Sequence, residues 1–321
     1  MLKIGSRLRL SLAAAGAAVG AAAIGRADST HSLPTAIASE AEEDVVVENW
    51  SSTHSARPRA YFQPDSPQGV QRILSAMSEA GQRLRVVGSA LSPNGIGLSD
   101  EGMLNMAMCG EILSIDAERQ QVTVQAGARV QEVVDALRPH GLTLQNYASI
   151  AEQQIGGFLQ VGAHGTGAAI PPVDEQVVRF TLHTPGLGAL ELSEESNPRL
   201  FWLAKVGLGQ LGVVSEVTLQ CVPAHKLVQH TFTETREGVA RRHLEHLAHK
   251  HMRYMWIPHT DTVVVVTCDP LIDGQPPPPP PPPEAEKAAV APLRELLLSK
   301  GITSNEKARD RVGCRNRGLE G

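Results

Sequence analysis

The stretch Ile155–Gly167, IGGFLQVGAHGTG, decides how this chain is read, because it sets glycine at 156, 157, 162, 165 and 167 in one short run. Glycine reaches dihedrals closed to other residues and lets main-chain amides come within hydrogen-bonding range of a phosphate or a heteroaromatic edge. The spacing predicts a ligand-cradling loop. The competing reading of the same residues is a buried strand pair with glycine bulges.

A second stretch of this kind, VGSALSPNGIG at 87–97, directly follows the strand-like LRVVG at 84–88. Its amides and the hydroxyls of Ser89 and Ser92 suit a diphosphate, and the alternative is an ordinary surface loop. Two such loops about 65 residues apart indicate a long cofactor held at several places rather than a small anion.

Working outward, VQRILSAMSEAGQ (70–82) has helical period, and EILSIDAERQQVTVQAG (111–127) reads as two strands joined by a polar turn. VQEVVDALRPHG (130–141) reads as a helix ended by Pro139 and Gly141. VVRFTLHTP and LGALELS form a hairpin, NPRLFWLAKVG a helix with Pro198 at its first position, and LGVVSEVTLQCVP a strand. This alternation predicts an α+β domain over residues 49–224. A new character begins after Pro223, with a His- and Arg-rich helix over 236–255 and a buried strand, TDTVVVVTCDP, at 260–270. Left without partners, valines 263–266 would be an aggregation hazard.

The two ends differ from this. Residues 1–48 open with Lys3, Arg7, Arg9 and an Ala/Gly-rich apolar run before the first acid, Asp28, which fits a transit peptide, a short signal peptide or an anchor. Eight consecutive prolines at 276–283 enforce an extended rod, so 274–321 is read as a linker and an atypical tail with one short helix from Ala285.

Composition narrows the function. A net charge of −5 with 3% aromatic residues offers neither a basic field nor stacking platforms, which argues against nucleic acid as a partner. Cys109, Cys221, Cys268 and Cys314 are widely spaced and predict reduced thiols, neither a zinc site nor a disulfide framework. A literal G-x-G-x-x-G at Gly207, Gly209 and Gly212 lies between a helix and a strand, the reverse of a dinucleotide fingerprint, so a tight-turn role fits better. His243, His246, His249, His251 and His259 sit among arginines and read as a solvated face rather than a metal site. His164 is read as facing the ligand, with a histidine bonded to backbone as the alternative.

The run ENWSSTH (48–54), VGSALSPNGIGLS, VTVQAGARVQEVVDAL, GLTLQNYASIAEQQIGGFLQVGAHGTGA, PPVDEQV, LGVVSEVTLQCV and TDTVVVVTCDP closely resembles the plant and algal L-galactono-1,4-lactone dehydrogenase family over residues 45–271. That family belongs to the vanillyl-alcohol-oxidase-type flavoproteins, whose FAD-binding PCMH-type domain is two α+β subdomains clasping the cofactor. The resemblance implies oxidation of L-galactono-1,4-lactone to L-ascorbate at FAD, with cytochrome c as acceptor, at the mitochondrial inner membrane or in the intermembrane space.

Carried over by residue, the resemblance makes Gly88, Ser89, Ala90, Leu91 and Ser92 the first pyrophosphate loop. Ala148, Ser149, Gly156, Gly157, Gly162, His164, Gly165 and Thr166 become the second lining, with Val213 and Val214 meeting the cofactor through backbone. Related oxidases tether the flavin to a histidine where Leu91 stands, which implies noncovalent FAD. Ala148 replaces the glycine of oxygen-reactive relatives, which implies a dehydrogenase. Val206 stands where plant members carry a cysteine.

The resemblance fades near Pro270, within a substrate domain begun at 225–273, and the family's later Glu-Arg pair and HWAK segment have no match. No catalytic side chain is therefore assigned. The chain reads as truncated before its substrate domain ends. Beside the enzyme stand two other readings, a noncatalytic flavin-binding or complex I assembly protein and a misread gene product.

Overall fold

A computed structural model describes residues 32–272. The leader through His31, the eight-proline run and the helix expected after it lie outside the described residues.

The first layer is built from β1 (Ala41–Glu42), the ribbon β2 (Val47–Glu48) with β3 (Ser55–Ala56), β4 (Ala60–Phe62), α1 (Pro67–Glu79), β5 (Leu84–Val87) and β6 (Gly102–Asn105). Its sheet runs β1-β4-β6-β5, with β6 parallel to both β4 and β5 and β1 antiparallel at the edge. Because β1 pairs with β4, the folded chain begins ahead of residue 49. Helix α1 starts three residues before the predicted Val70: Ser66 accepts from the Gly69 amide at 3.3 Å, and Pro67, pre-set for helical φ, takes the first position. Val70, Ile73 and Met77 form its buried stripe, and Gly81 turns the chain out at φ 66°.

The second layer comprises β7 (Ile112–Asp116), β8 (Gln121–Gln125), α2 (Val130–Leu137), β9 (Leu142–Thr143), α3 (Ile155–Gln160), β10 (Val177–Thr184), β11 (Gly188–Ser193), α4 (Pro198–Ala204), β12 (Val213–Gln220) and β13 (Val222–Pro223). Five strands form an antiparallel sheet in the order β11-β10-β12-β8-β7. Phe180 from β10 and Phe201 from α4 stack at 5.4 Å between ring centroids, both fully buried. The two strands, the helix and the hairpin expected here are all present.

The glycine-rich opening segment corrects the sequence reading. Residues 155–160 are neither loop nor strand pair but the short helix α3. Ile155, Phe158 and Leu159 fall at i, i+3 and i+4 and are buried, and that apolar face outweighs the low helix propensity of Gly156 and Gly157.

The third layer is β14 (Leu227–Thr235), α5 (Arg236–Leu247), β15 (His251–Trp256) and β16 (Thr262–Pro270), antiparallel in the order β14-β16-β15. Strand β14 was not legible in the sequence, and the helix expected over 236–255 stops at Leu247, after which 251–256 pairs with β16. The valine-rich strand is central and hydrogen-bonded on both sides, which removes the hazard of an unpaired edge. His246 is 2% exposed rather than solvated; it receives Tyr254 against its Nδ1 at 2.8 Å and faces Glu234. No group of metal-binding side chains occurs among the described residues. Cys109, Cys221 and Cys268 are free thiols, and burial pushes Cys221 up to about 11.

Candidate functional site

The first two layers meet at a cleft of about 390 Å³. One wall is the loop after β5, Gly88 to Ser92, and the other is the start of α3 with Gln153, Gln154, Gly156 and Gly157. Leu208, Gly209 and Gly212 from the turn ahead of β12, with Val214 from the strand itself, close it. The literal G-x-G-x-x-G thus makes a turn, as its context indicates, and also forms part of the wall. Its geometry demands glycine: Gly209 has φ 71°, and at Gly212, φ 150°, a Cβ would lie 2.1 Å from the His183 carbonyl oxygen.

Loop 88–92 is anchored on both flanks. Asn49, 3% exposed, donates to the Ser92 carbonyl at 3.0 Å while its own oxygen accepts from the Thr53 and His54 amides. Ala90 adopts left-handed backbone, φ 50°, and its carbonyl accepts from the Trp50 amide at 3.1 Å. Left-handed alanine costs about 1–2 kcal/mol, and such strain gathers at ligand clamps. Leu208, φ 52°, repeats the pattern on the opposite rim.

The Ser89 hydroxyl, read from sequence as a diphosphate ligand, donates instead to the Glu152 carbonyl at 2.6 Å. The lining is consequently mostly backbone and apolar side chain. Arg85 is its one charged side chain, with Nη1 donating to the Leu208 carbonyl at 3.3 Å. Gln160 knits α3 to the glycine turn, donating to the Ala204 carbonyl at 2.8 Å and accepting from the Gly209 amide at 3.1 Å.

Of the residues singled out from sequence, Gly88, Ser89, Ala90, Leu91, Ser92, Gly156, Gly157 and Val214 are brought together in the cleft. Ala148, Ser149, Gly162, His164, Gly165, Thr166 and Val213 are not among its lining residues. Val213 alternates with Val214 along β12 and is buried in the sheet core. Gly165 packs where a Cβ would meet Asn146 Oδ1 at 2.5 Å. His164 is exposed and turns Nδ1 to the Gly165 carbonyl at 2.8 Å, and Thr166 accepts through its carbonyl from the Met252 amide at 3.0 Å. The His164 Nδ1 thus meets neighbouring backbone, the arrangement of the alternative reading, and the Thr166 carbonyl meets the third layer. Ala148 and Ser149 directly precede Ile150, which does line the cleft. Asn49, Arg85, Gln153, Gln154 and Gln160 were missed; they are lone polar residues whose only sequence signal was their closeness to the motifs.

The cleft suits FAD on two observations. At Gly157 a Cβ would meet nothing within 4 Å, so the protein's own packing does not require that bareness. A glycine inside a helix costs about 1 kcal/mol relative to alanine, which a ligand approaching the backbone offsets. Arg85 supplies positive charge for a diphosphate.

Comparison with known proteins agrees with this geometry. Residues 58–191 match the family model described as FAD binding domain. The mitochondrial L-galactono-1,4-lactone dehydrogenase of Arabidopsis thaliana is 52% identical over 231 residues, 71% of this chain and 38% of that protein. L-galactono-1,4-lactone dehydrogenase 1 of Oryza sativa is 52% identical over 225 residues, and L-gulonolactone oxidase of Bos taurus 37% identical over 226. The chain spans 38% to 51% of the length of these relatives. An alkyldihydroxyacetonephosphate synthase structure superposes with a TM-score of 0.59 at 14% identity, covering 79% of this chain and 54% of that one, a likeness of fold alone. The chain therefore carries an FAD-binding domain of α+β architecture and is similar, over that domain and the strands after it, to the L-galactono-1,4-lactone dehydrogenases.

Proposed function

We propose that this chain supplies the FAD-binding part of an aldonolactone dehydrogenase that oxidises L-galactono-1,4-lactone to L-ascorbate. Cytochrome c is the acceptor and the mitochondrion the site, at the inner membrane or in the intermembrane space. The bare cleft wall at Gly157 carries the reading, because a Cβ there meets no protein atom within 4 Å and the backbone stands open to a flat ring or a diphosphate, whereas Gly156 is bare for packing, its Cβ position lying 2.8 Å from the Ala126 Cβ. The substrate class rests on similarity to proteins of that name in Arabidopsis thaliana and Oryza sativa. Among the described residues no helix is long and apolar enough to cross a membrane.

FAD supplies hydride acceptance from the lactone carbon. The chain's own residues bind and orient it: the 88–92 loop and Arg85 hold charge and main chain against the diphosphate, and Leu91 offers the flavin no nucleophile. The domain assignment follows, with the FAD-binding part over 49–224, extended at its start by β1, and the start of the substrate domain from 225. Ala148, Ser149, His164 and Thr166 belong to this proposal through the family resemblance alone, which puts Ala148 where its methyl narrows oxygen's approach.

The test is anaerobic addition of L-galactono-1,4-lactone to the purified chain loaded with FAD, followed by cytochrome c. Uptake of FAD is the expected result for this chain, with loss of the flavin's visible absorbance and its return with cytochrome c expected once the chain is joined to the substrate domain of a relative. Binding of FAD without bleaching in that joined protein favours a noncatalytic flavin-binding or complex I assembly role, and failure to bind FAD overturns the assignment.

A further inference from the structure

The passage from the second layer to the third gathers positive charge that no carboxylate balances. Residues 224–226 join β13 to β14 and are fixed at both ends: the Ala224 amide donates to the Gly141 carbonyl at 2.8 Å, and the Lys226 carbonyl accepts from the Leu271 amide at 2.9 Å. Between these ends His225 meets Lys250, which stands just ahead of β15, with 2.8 Å between Nε2 and Nζ. An ammonium only donates, so Nε2 accepts and the His225 proton sits on Nδ1, which donates to the Pro223 carbonyl at 3.0 Å. His251, the first residue of β15, stands beside them. Burial first, then the Lys250 and His225 charges, hold its imidazole below the usual value against the pull of Asp269.

The acid beside this group is spent elsewhere. Asp269 accepts at Oδ1 from the Lys250 main-chain amide at 3.0 Å and is paired at Oδ2 with His249. Among the described residues no carboxylate ion-pairs with Lys250 Nζ, and its remaining protons have no partner in the protein. The His225 and Lys226 amides likewise donate to no acceptor there. An ammonium set against two imidazoles without a counter-charge opposes folding, and an anion bound between them offsets that repulsion. We propose that His225, Lys250 and His251 form an oxyanion site at the seam between the FAD-binding part and the third layer, and that it takes a phosphate group. Lysine binds phosphate as a point charge, and each imidazole gains a second N–H donor when the dianion draws a proton onto it. The bound group ties the 224–226 passage to β15. The site shares no residue with the cleft.

The experiment titrates inorganic phosphate calorimetrically into the full chain, with FAD added to fill the cleft and chloride at matched ionic strength. The same titration is run on the Lys250→Met, His225→Gln and Arg85→Gln variants, and the thermal midpoint of each without phosphate shows that it folds; His251→Gln replaces either of the first two that does not. Expected is a dissociation constant raised about ten-fold or more by Lys250→Met and by His225→Gln and unchanged by Arg85→Gln. The parent's midpoint rises with phosphate, and that rise is lost in the first two variants. Glycerol phosphate separates two sources of the same chemistry: tighter binding than inorganic phosphate assigns a monoester, and equal or weaker binding assigns free phosphate. Affinity within about two-fold of the parent in both seam variants overturns the site. So does a loss of binding in Arg85→Gln alone, which puts the phosphate in the cleft, or acetate bound as tightly as phosphate. A parent chain that gives neither heat nor a shifted midpoint overturns it as well.

Discussion

The Ser89 hydroxyl donates to the Glu152 carbonyl at 2.6 Å, and that bond joins the loop after β5 to the segment that leads into α3. The two walls of the cleft are therefore hydrogen-bonded to each other, and cleft width is tied to the packing of the two layers.

Ser89→Ala removes this link and leaves the Glu152 carbonyl without that donor. A typical intramolecular hydrogen bond contributes about 1 kcal/mol, so the urea midpoint should fall by that equivalent and FAD affinity by a few-fold. Unchanged values in both assays would show that the loop is held by Asn49 and Trp50 alone.

Gly157→Ala should separate stability from binding. A Cβ there meets nothing within 4 Å, and alanine in place of glycine favours a helix by about 1 kcal/mol. The variant should unfold at higher denaturant concentration and bind FAD more weakly, and a gain in both would mean that no ligand approaches this backbone.

Gly212→Ala should prevent folding or cost several kcal/mol, on the order of the largest single-residue effects. Its φ of 150° and a Cβ position 2.1 Å from the His183 carbonyl oxygen leave no room for relaxation between β10 and β12. Far-ultraviolet circular dichroism and yield of soluble protein are the measurements.

His183 should make the fold acid-sensitive. Gln71 donates through Nε2 to the Thr184 carbonyl, so its Oε1 accepts from His183 Nδ1–H at 3.0 Å, and Nε2 of the neutral ring accepts from Ser215 at 2.9 Å. Burial lowers its pKa from 6.5, so below that value the unfolded chain takes up a proton that the folded chain refuses. The stabilisation is complete above 6.5 and is lost as pH falls through the interval down to the lowered value. His183→Gln should flatten the dependence of urea midpoint on pH over this window, and an unaltered slope would assign it to other groups such as His251, which burial lowers in the same sense.

Leu91 lines the cleft and has no nucleophilic atom, so acid precipitation of FAD-loaded protein should release all flavin to the supernatant. Fluorescence retained in the pellet would place a covalent link elsewhere.

By itself the sequence determined the α+β alternation, the hairpin of β10 and β11, the helix opened by Pro198 and the turn at 88–92 that follows β5, because period, turn residues and glycine runs are local properties. It also held the resemblance that named the cofactor. Only the tertiary structure decided that 155–160 is a helix, since Ile155, Phe158 and Leu159 find a core that overrides two glycines. It alone showed β14, a polar strand whose partner β16 lies about 30 residues onward. The same holds for the cleft: the Ser89 hydroxyl tethers the two walls, and Gln153 and Gln154 line it. Side-chain direction and burial arise from contacts between segments distant in the chain, and no local spacing encodes them.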